Sequence, residues 1–467
     1  MMLKRMCFST MAVLLSMHLL AQLNPFPECY KIDKKDLEYA RKIIKKEVPE
    51  LKFPNPSPDA QWFTKNNLGL MMHWGPHTVL GAQPSWDMVP MDAEWGGKVM
   101  PSERYYEETL EAFNPQNYDP EKFLKAAKEA GYSYVVLTSK HHDGFANWPS
   151  KYGLSTRQYM GGRDLIKPYI EACRKLGLKV GLYFSPRDWY YPGYPAPVKL
   201  KGLKEPAIDQ KTFFEDFFAY TICQMKELLT NYGQIDILWF DSFGLDDRLD
   251  YYNGQVYAWI RSLQPGILLN DRYHDMPNPE NQKEMISFGD FQTPFECYLP
   301  DYKPKGLWED VEIWTNGRAG WGYDTMGDFK SWQWFFTYFL TTRSMGGNLL
   351  LNASPGPTGD MHPNYYLRTA TLAEWMKHSQ ESVMGTDPSP GRELCNVFIT
   401  ARPGIYYLHL LPEYRGDIRL RIDKYPGSVT VLRTGKSLNF TYKSGVINIS
   451  IPNDIRTDMD DVIKVVL

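Results

Sequence analysis

A chain of 467 residues exceeds one ordinary domain, and a net charge of −3 with no block of like charge argues against nucleic acid or an anionic membrane as a partner. Hydrophobic residues at 43% and charged residues at 23% supply a large core and exclude a disordered chain. The aromatic share of 15%, with 14 Trp and 31 Tyr, suits stacking on sugar faces but equally suits cores and interfaces, so alone it decides nothing.

At the N-terminus, Lys4 and Arg5 precede an apolar run from Met11 to Leu20, and Ala21-Gln22 offers a cleavage point. Residues 1–21 read as a secretory signal peptide, which implies a secreted or periplasmic protein, and the run is too short for a membrane span. Cys29, Cys173, Cys223, Cys297 and Cys395 are scattered through the rest, with neither metal-ligand spacing nor the density of a disulfide framework.

Helical and strand patterns then alternate. Leu68 to Met72 is an early strand. Asp119-Pro120 pairs a helix cap with proline at the first helical position, and Gly131 stops that helix before the strand at Tyr134. The plan recurs: Asp164 caps a helix, Gly177 ends it, and a strand runs from Lys179 to Ser185. A helix from Lys211 to Asn231 leads into Ile235 to Asp241; Pro265-Gly266 leads into Ile267 to Asn270; a late strand covers Asn348 to Asn352. Repeated βα units predict a (β/α)8-like barrel over residues 22–386, although these segments do not by themselves supply eight strands. After Thr386 the pattern changes to short alternating segments, Gly404 to Leu411, Asp417 to Ile422, Ser428 to Leu432 and Gly445 to Ile451, which predict an antiparallel β-sandwich over 387–467. With no acid or histidine cluster evident there, it reads as support for the barrel ahead of carbohydrate recognition.

The chemistry falls at strand ends. Ile235 to Phe240 is an apolar strand closed by Asp241, so the carboxylate stands on a functional rim. The strand at Tyr134 runs into His141-His142-Asp143-Gly144-Phe145. Adjacent side chains at a strand end point in opposite directions, and no H-x-H or H-E-x-x-H spacing is present, so no catalytic metal is expected. Neutral histidines on the rim suit the hydroxyls of a small polar ring. Neither a dinucleotide fingerprint nor a phosphate loop occurs, and no cofactor is expected.

His73-Trp74-Gly75, His141 to Phe145, Gly181 to Ser185, Leu238 to Asp241, Asn270-Asp271-Arg272, Trp321-Gly322-Tyr323 and Gly346 to Asn352, in this order, resemble the signature of the retaining α-L-fucosidases, glycoside hydrolase family 29. The resemblance spans about residues 60 to 386 and implies an irregular β/α barrel followed by a β-sandwich. It implies hydrolysis of terminal α-L-fucose from a fucosylated glycan through a covalent glycosyl-enzyme, with Asp241 as nucleophile. Retaining hydrolysis needs a second carboxyl about 5–5.5 Å away to protonate the leaving oxygen and later to activate water. The family motif G-D-F-x-T-P-E reads here Gly289 to Glu296, with Phe295 at the glutamate position and Glu296 one step later. Glu296 is the candidate acid/base, on the view that a loop absorbs the shift, and Glu309 is its competitor. His73, His141, His142, Tyr183 and Arg272 carry over as contacts to the sugar, and Trp321 as the surface for its methyl face; Trp86 and Glu94 complete the set, in a loop from Gly81 to Met100 that departs from the family pattern. Trp74 reads as core. Two alternatives remain open at this level: action on a related sugar such as an α-L-galactoside, and a fucose-binding protein with weak chemistry.

Overall fold

The computed structural model describes residues 28–47, 50–65, 67–89, 104–194, 210–241, 253–272, 289–317, 319–388 and 394–467. The expected signal peptide at 1–21, Glu94 and part of the loop from Gly81 to Met100 lie outside them. Among the described residues no helix is long and apolar enough to cross a membrane.

Eight parallel strands form one sheet: β1 (Leu68–Met72), β2 (Tyr134–Lys140), β3 (Lys179–Phe184), β4 (Ile237–Phe240), β5 (Leu268–Leu269), β6 (Gln292–Glu296), β7 (Trp308–Ile313) and β8 (Asn348–Asn352), in the order β5-β4-β3-β2-β1-β8-β7-β6. A parallel sheet covered on both faces needs apolar residues on both, and β1, β2, β4 and β8 are buried at every position. The pleat divides them. Met71, Val136, Tyr183, Trp239, Val311 and Leu350 fill the inside of the curved sheet, while Leu70, Leu137, Leu182, Leu238 and Leu351 pack with the surrounding helices.

Sequence reading places six of these strands and misses β6 and β7. Neither has the apolar signature, since Gln-Thr-Pro-Phe-Glu and Trp-Glu-Asp-Val-Glu-Ile carry proline and acids. The stretch that holds Glu296 is therefore strand, not loop as expected. Its register against β7 shifts between Gln292 and Phe295 before Phe295 pairs with Asp310 and Glu296 with Val311.

Among the described residues the ladder is thinnest between β5 and β6, where the ring closes through a single bridge, Asn270 to Phe291, and the Asp290 N–H donates to Leu269 O at 2.6 Å. Asp290 reinforces that seam. Its carboxylate accepts from the Leu269 N–H at 2.8 Å, the Asn55 N–H at 2.7 Å and the Arg261 guanidinium at 2.5 Å, with the Asp290 side chain fully buried.

The helix caps read from sequence behave as expected. Asp119 accepts from the Lys122 N–H at the start of helix Pro120–Glu129, and Asp164 accepts from the Ile166 and Lys167 N–H groups, both at 2.9 Å. Beyond the barrel, β9 (Phe398–Arg402), β10 (Ile405–Leu410), β11 (Ile418–Arg421), β12 (Ser428–Val431), β13 (Phe440–Lys443), β14 (Val446–Ile449) and β15 (Asp461–Val466) form antiparallel sheets of order β12-β15-β10-β9 and β11-β14-β13. Leu408, Val431, Ile463, Leu420 and Ile447 share their common core. Contrary to expectation, an acid and histidine cluster does lie here: His409 Nδ1 meets Asp460 at 2.7 Å and Nε2 meets Thr400 Oγ1 at 2.8 Å. All three are sealed from solvent, and Thr400 donates to Ser382 O, so the cluster ties the sandwich to the barrel.

Removing the Asp290 carboxylate leaves Arg261 unpaired and strips two backbone N–H groups of their acceptor. Asp290→Ala is expected to cost about 3 kcal/mol of stability, read as a lowered midpoint in urea denaturation.

Candidate active site

The C-terminal ends of the strands converge on one cavity of about 400 Å³. His73 follows β1, His141 and His142 follow β2, Tyr183 closes on it from β3, Asp241 follows β4, Arg272 follows β5 and Glu296 ends β6. Trp321 and Trp86 enter on loops. The structure thus assembles every described side chain that the sequence nominates for the pocket; Glu309 does not line it.

Asp241 faces polar groups brought by three other strands. Its Oδ2 accepts from the Tyr183 hydroxyl at 2.5 Å and lies 3.5 Å from His142 Nε2, while Oδ1 lies 3.7 Å from Arg272 Nη1. The same Nη1 donates to Glu296 Oε2 at 2.5 Å. One guanidinium nitrogen therefore serves both carboxylates, and their separation cannot exceed the sum of those two lengths. Arg272 is itself fixed by Nε donating to Thr293 Oγ1 at 2.6 Å and by its guanidinium lying over the Trp239 ring at 5.0 Å.

Glu296 reaches the cavity because of the pleat. In a parallel pair, neighbours share a face, so Glu296 points inward with Val311 and Phe295 points outward with Asp310. The displaced glutamate of the sequence motif is placed by strand alternation after the register shift, not by a flexible loop.

The histidines depart from expectation. His141 and His142 were expected to diverge, yet both rings line the cavity with centroids 4.1 Å apart, because β2 ends at Lys140 and the pair sits in the turn beyond it. Gly144 makes this turn possible: its φ is +84°, and a Cβ there would stand 2.1 Å from the Asp188 carboxylate. Asp143 ties the turn down, accepting from the Phe145 N–H at 3.0 Å and the Tyr105 hydroxyl at 2.9 Å, and burial pushes its carboxyl up to about 6.

Burial holds all the pocket histidines in their neutral form: His73 falls to about 4, and His141 and His142 fall well below the ordinary value. The His73 tautomer follows from its neighbours. Asn352 donates its amide to Trp321 O at 2.9 Å, so its carbonyl faces His73 Nδ1 at 2.9 Å, and His73 offers Nε2 as an acceptor. His141 is stacked on Tyr183 at 5.3 Å with Nδ1 against Ser85 Oγ at 2.6 Å. His141, His142 and Asp241 present atoms within 4.8 Å of one another, a spacing that suits a metal and that sequence spacing excluded. One Asp241 oxygen already accepts from Tyr183 and the other faces the Arg272 guanidinium, beside which a further cation would stand, so the set fits hydrogen bonding to a polar ring better than ion binding.

Several lining residues were not legible in the sequence. Gln83, whose Oε1 accepts from the Trp321 N–H at 3.0 Å, sits with Trp86 in the loop that departs from the family pattern, and Arg187 and Tyr298 also line the cavity. Trp239, inside the apolar strand β4, forms part of the floor. Trp74 is core, as expected, with its indole N–H donating to Gly356 O at 2.9 Å.

Beneath that floor, Glu309 is fully buried. It accepts from the Trp239 indole at 2.6 Å and the Tyr134 hydroxyl at 2.8 Å, and burial raises its carboxyl to about 7 despite these donors. The neutral form is favoured in the fold, so its contribution to stability is complete below the ordinary value near 4.5 and is lost as pH rises through about 7. Glu309→Gln is expected to match the parent in melting temperature near pH 4 and to exceed it at pH 8, in parallel thermal melts.

The chain matches the family described as Alpha-L-fucosidase over residues 39–381. It is 26% identical over 415 residues to the tissue alpha-L-fucosidase of Mus musculus, covering 83% of this chain and 86% of that protein. Alpha-L-fucosidase isoenzyme 1 from Paenibacillus thiaminolyticus superposes with a TM-score of 0.72 at 28% identity, covering 88% of this chain and 99% of the other. A Bacteroides thetaiotaomicron alpha-L-fucosidase trapped as a covalent intermediate shares the fold, with a TM-score of 0.72 at 24% identity over 90% of this chain and 99% of the other.

Proposed function

The chain belongs to the alpha-L-fucosidase family, and from that membership together with the pocket we propose that it is a retaining exo-α-L-fucosidase acting on fucosylated oligosaccharides or glycoconjugates. The observation that carries this reading is the pair Asp241 and Glu296 at one guanidinium nitrogen, close enough for the two-carboxylate displacement and opening on a cavity roomy enough for a sugar ring.

In this reading Asp241 attacks the anomeric carbon. The Tyr183 hydroxyl and Arg272 orient its oxygens and relax their hold as charge moves into the new bond. Glu296 donates its proton to the leaving oxygen, then takes one from the water that breaks the glycosyl-enzyme, so configuration at the anomeric carbon is retained. Its side chain keeps 24% of its exposure, which gives the leaving group and the water a route to it. Glu309, below Trp239 and Val311, lacks that route. Neutral His73, His141 and His142 hydrogen-bond the ring hydroxyls, while Trp321 and Trp86 cover apolar sugar faces. The site needs no cofactor for this chemistry.

The apolar run after Lys4 and Arg5 supports export of the chain, with residues 22–386 as the catalytic unit and 387–467 as its buttress.

Asp241→Gly is expected to lose several orders of magnitude in turnover with its fold intact by circular dichroism, and azide is expected to restore activity by occupying the vacated space; turnover near the parent level would remove the nucleophile assignment. Glu296→Ala should keep appreciable glycosylation by an activated aryl fucoside, accumulate glycosyl-enzyme seen by mass spectrometry, and give an α-fucosyl azide with azide, which attacks the intermediate from the face that water uses. Glu309→Ala should lower good and poor leaving groups together, and the opposite pattern would exchange the two roles.

A further inference from the structure

Phe295, the residue that displaces the glutamate from its usual motif position, has a use that catalysis does not explain. Its ring is fully buried on the outer face of β6 and packs against Trp308 at 5.5 Å. It also supports two exposed rings: Tyr298 stands edge-on to it at 5.5 Å and Tyr302 lies against it at 5.0 Å. Tyr298, Leu299 and Tyr302 are three of the seven large hydrophobic side chains exposed among the described residues, gathered in one short segment. Solvation alone disfavours such a cluster, and exposed apolar patches of this kind mark contact surfaces.

The segment is also aimed. Cys297, directly after Glu296, adopts φ +61°, a left-handed conformation uncommon for a residue with a Cβ, while its N–H donates to Val311 O at 3.1 Å. The chain reverses there. Tyr298 returns over Pro294, donating its hydroxyl to Pro294 O at 2.8 Å, and lines the cavity while remaining 51% exposed. With the hydroxyl engaged on the backbone, what Tyr298 offers at the pocket mouth is the ring itself, two residues beyond Glu296.

We propose that Tyr298, propped by Phe295, is the platform on which the leaving-group sugar stacks, so that the preferred substrates carry fucose on a second pyranose rather than on a small or flexible group. This rests on the fucosidase reading above. The proton donor must sit at the glycosidic oxygen, and the first atoms of the leaving group therefore pass Glu296 and meet the next surface on that side, the flat ring of Tyr298. A pyranose presents a C–H face that matches such a ring, whereas a serine side chain or a fluoride presents none. Tyr298 is then a specificity-determining residue, acting on the half of the substrate that does not react.

The test is the ratio of kcat/KM for a fucosyl-galactose disaccharide to that for methyl α-L-fucoside, whose leaving group needs protonation as the sugar does but is too small to stack. Tyr298→Ala is expected to lower this ratio on the order of tenfold, and Tyr298→Trp to preserve it, with thermal melts confirming that both variants fold. An unchanged ratio in Tyr298→Ala overturns the platform, as does an equal loss on both substrates, which would make the ring a support for Glu296. If the parent protein hydrolyses neither substrate, the fucosidase reading itself fails and the platform falls with it, an outcome distinct from an active parent whose ratio ignores position 298.

Discussion

A guanidinium withdrawn from water is the interaction around which this pocket is organised. Arg272 stands three residues beyond β5, at the point where, among the described residues, the ring of strands is held by one bridge, and it keeps only 7% of its side-chain exposure. Such a charge is tolerable when carboxylates and other oxygen acceptors surround it, and Glu296 and Thr293 do so from β6 and Asp241 from the end of β4. The requirement to compensate Arg272 thus draws the two acids toward one nitrogen. A spacing compatible with the proposed double displacement comes with the compensation of this buried cation.

The seam carries a second pair of the same kind one layer lower. Asp290 and Arg261 tie β5, β6 and the segment at Asn55 together where backbone pairing is sparse. Charge and hydrogen bonding do at this edge what apolar packing does between β1 and β4. Such pairs are geometrically exacting, and their long-range partners fix strand ends to within hydrogen-bonding distance.

Much of the molecule was legible in the residues. The barrel strands with apolar runs, Leu68 to Met72, Tyr134 to Thr138 and Asn348 to Asn352, were found because burial on both faces leaves a continuous hydrophobic signal. β6 and β7 were hidden for the opposite reason, since they carry a proline and several acids whose burial is made possible by partners far away in the chain: Thr342 for Asp310, Trp239 and Tyr134 for Glu309. No local pattern encodes a partner that arrives from another strand or helix.

The sequence by itself determined which chemical groups stand at strand ends, because a polar residue closing an apolar run has nowhere to go but the rim. Asp241, His73, Arg272 and the paired histidines follow from that rule and from their resemblance to a known signature. Tertiary structure decided the rest. It turned His141 and His142 to the same side by ending β2 at Lys140, pointed Glu296 inward and Phe295 outward through the pleat of a strand that sequence reading took for a loop, and sank Glu309 beneath Trp239. Direction and depth are properties of register and packing, set by contacts between segments distant in the chain, whereas the identity of a rim residue is written in its own neighbourhood.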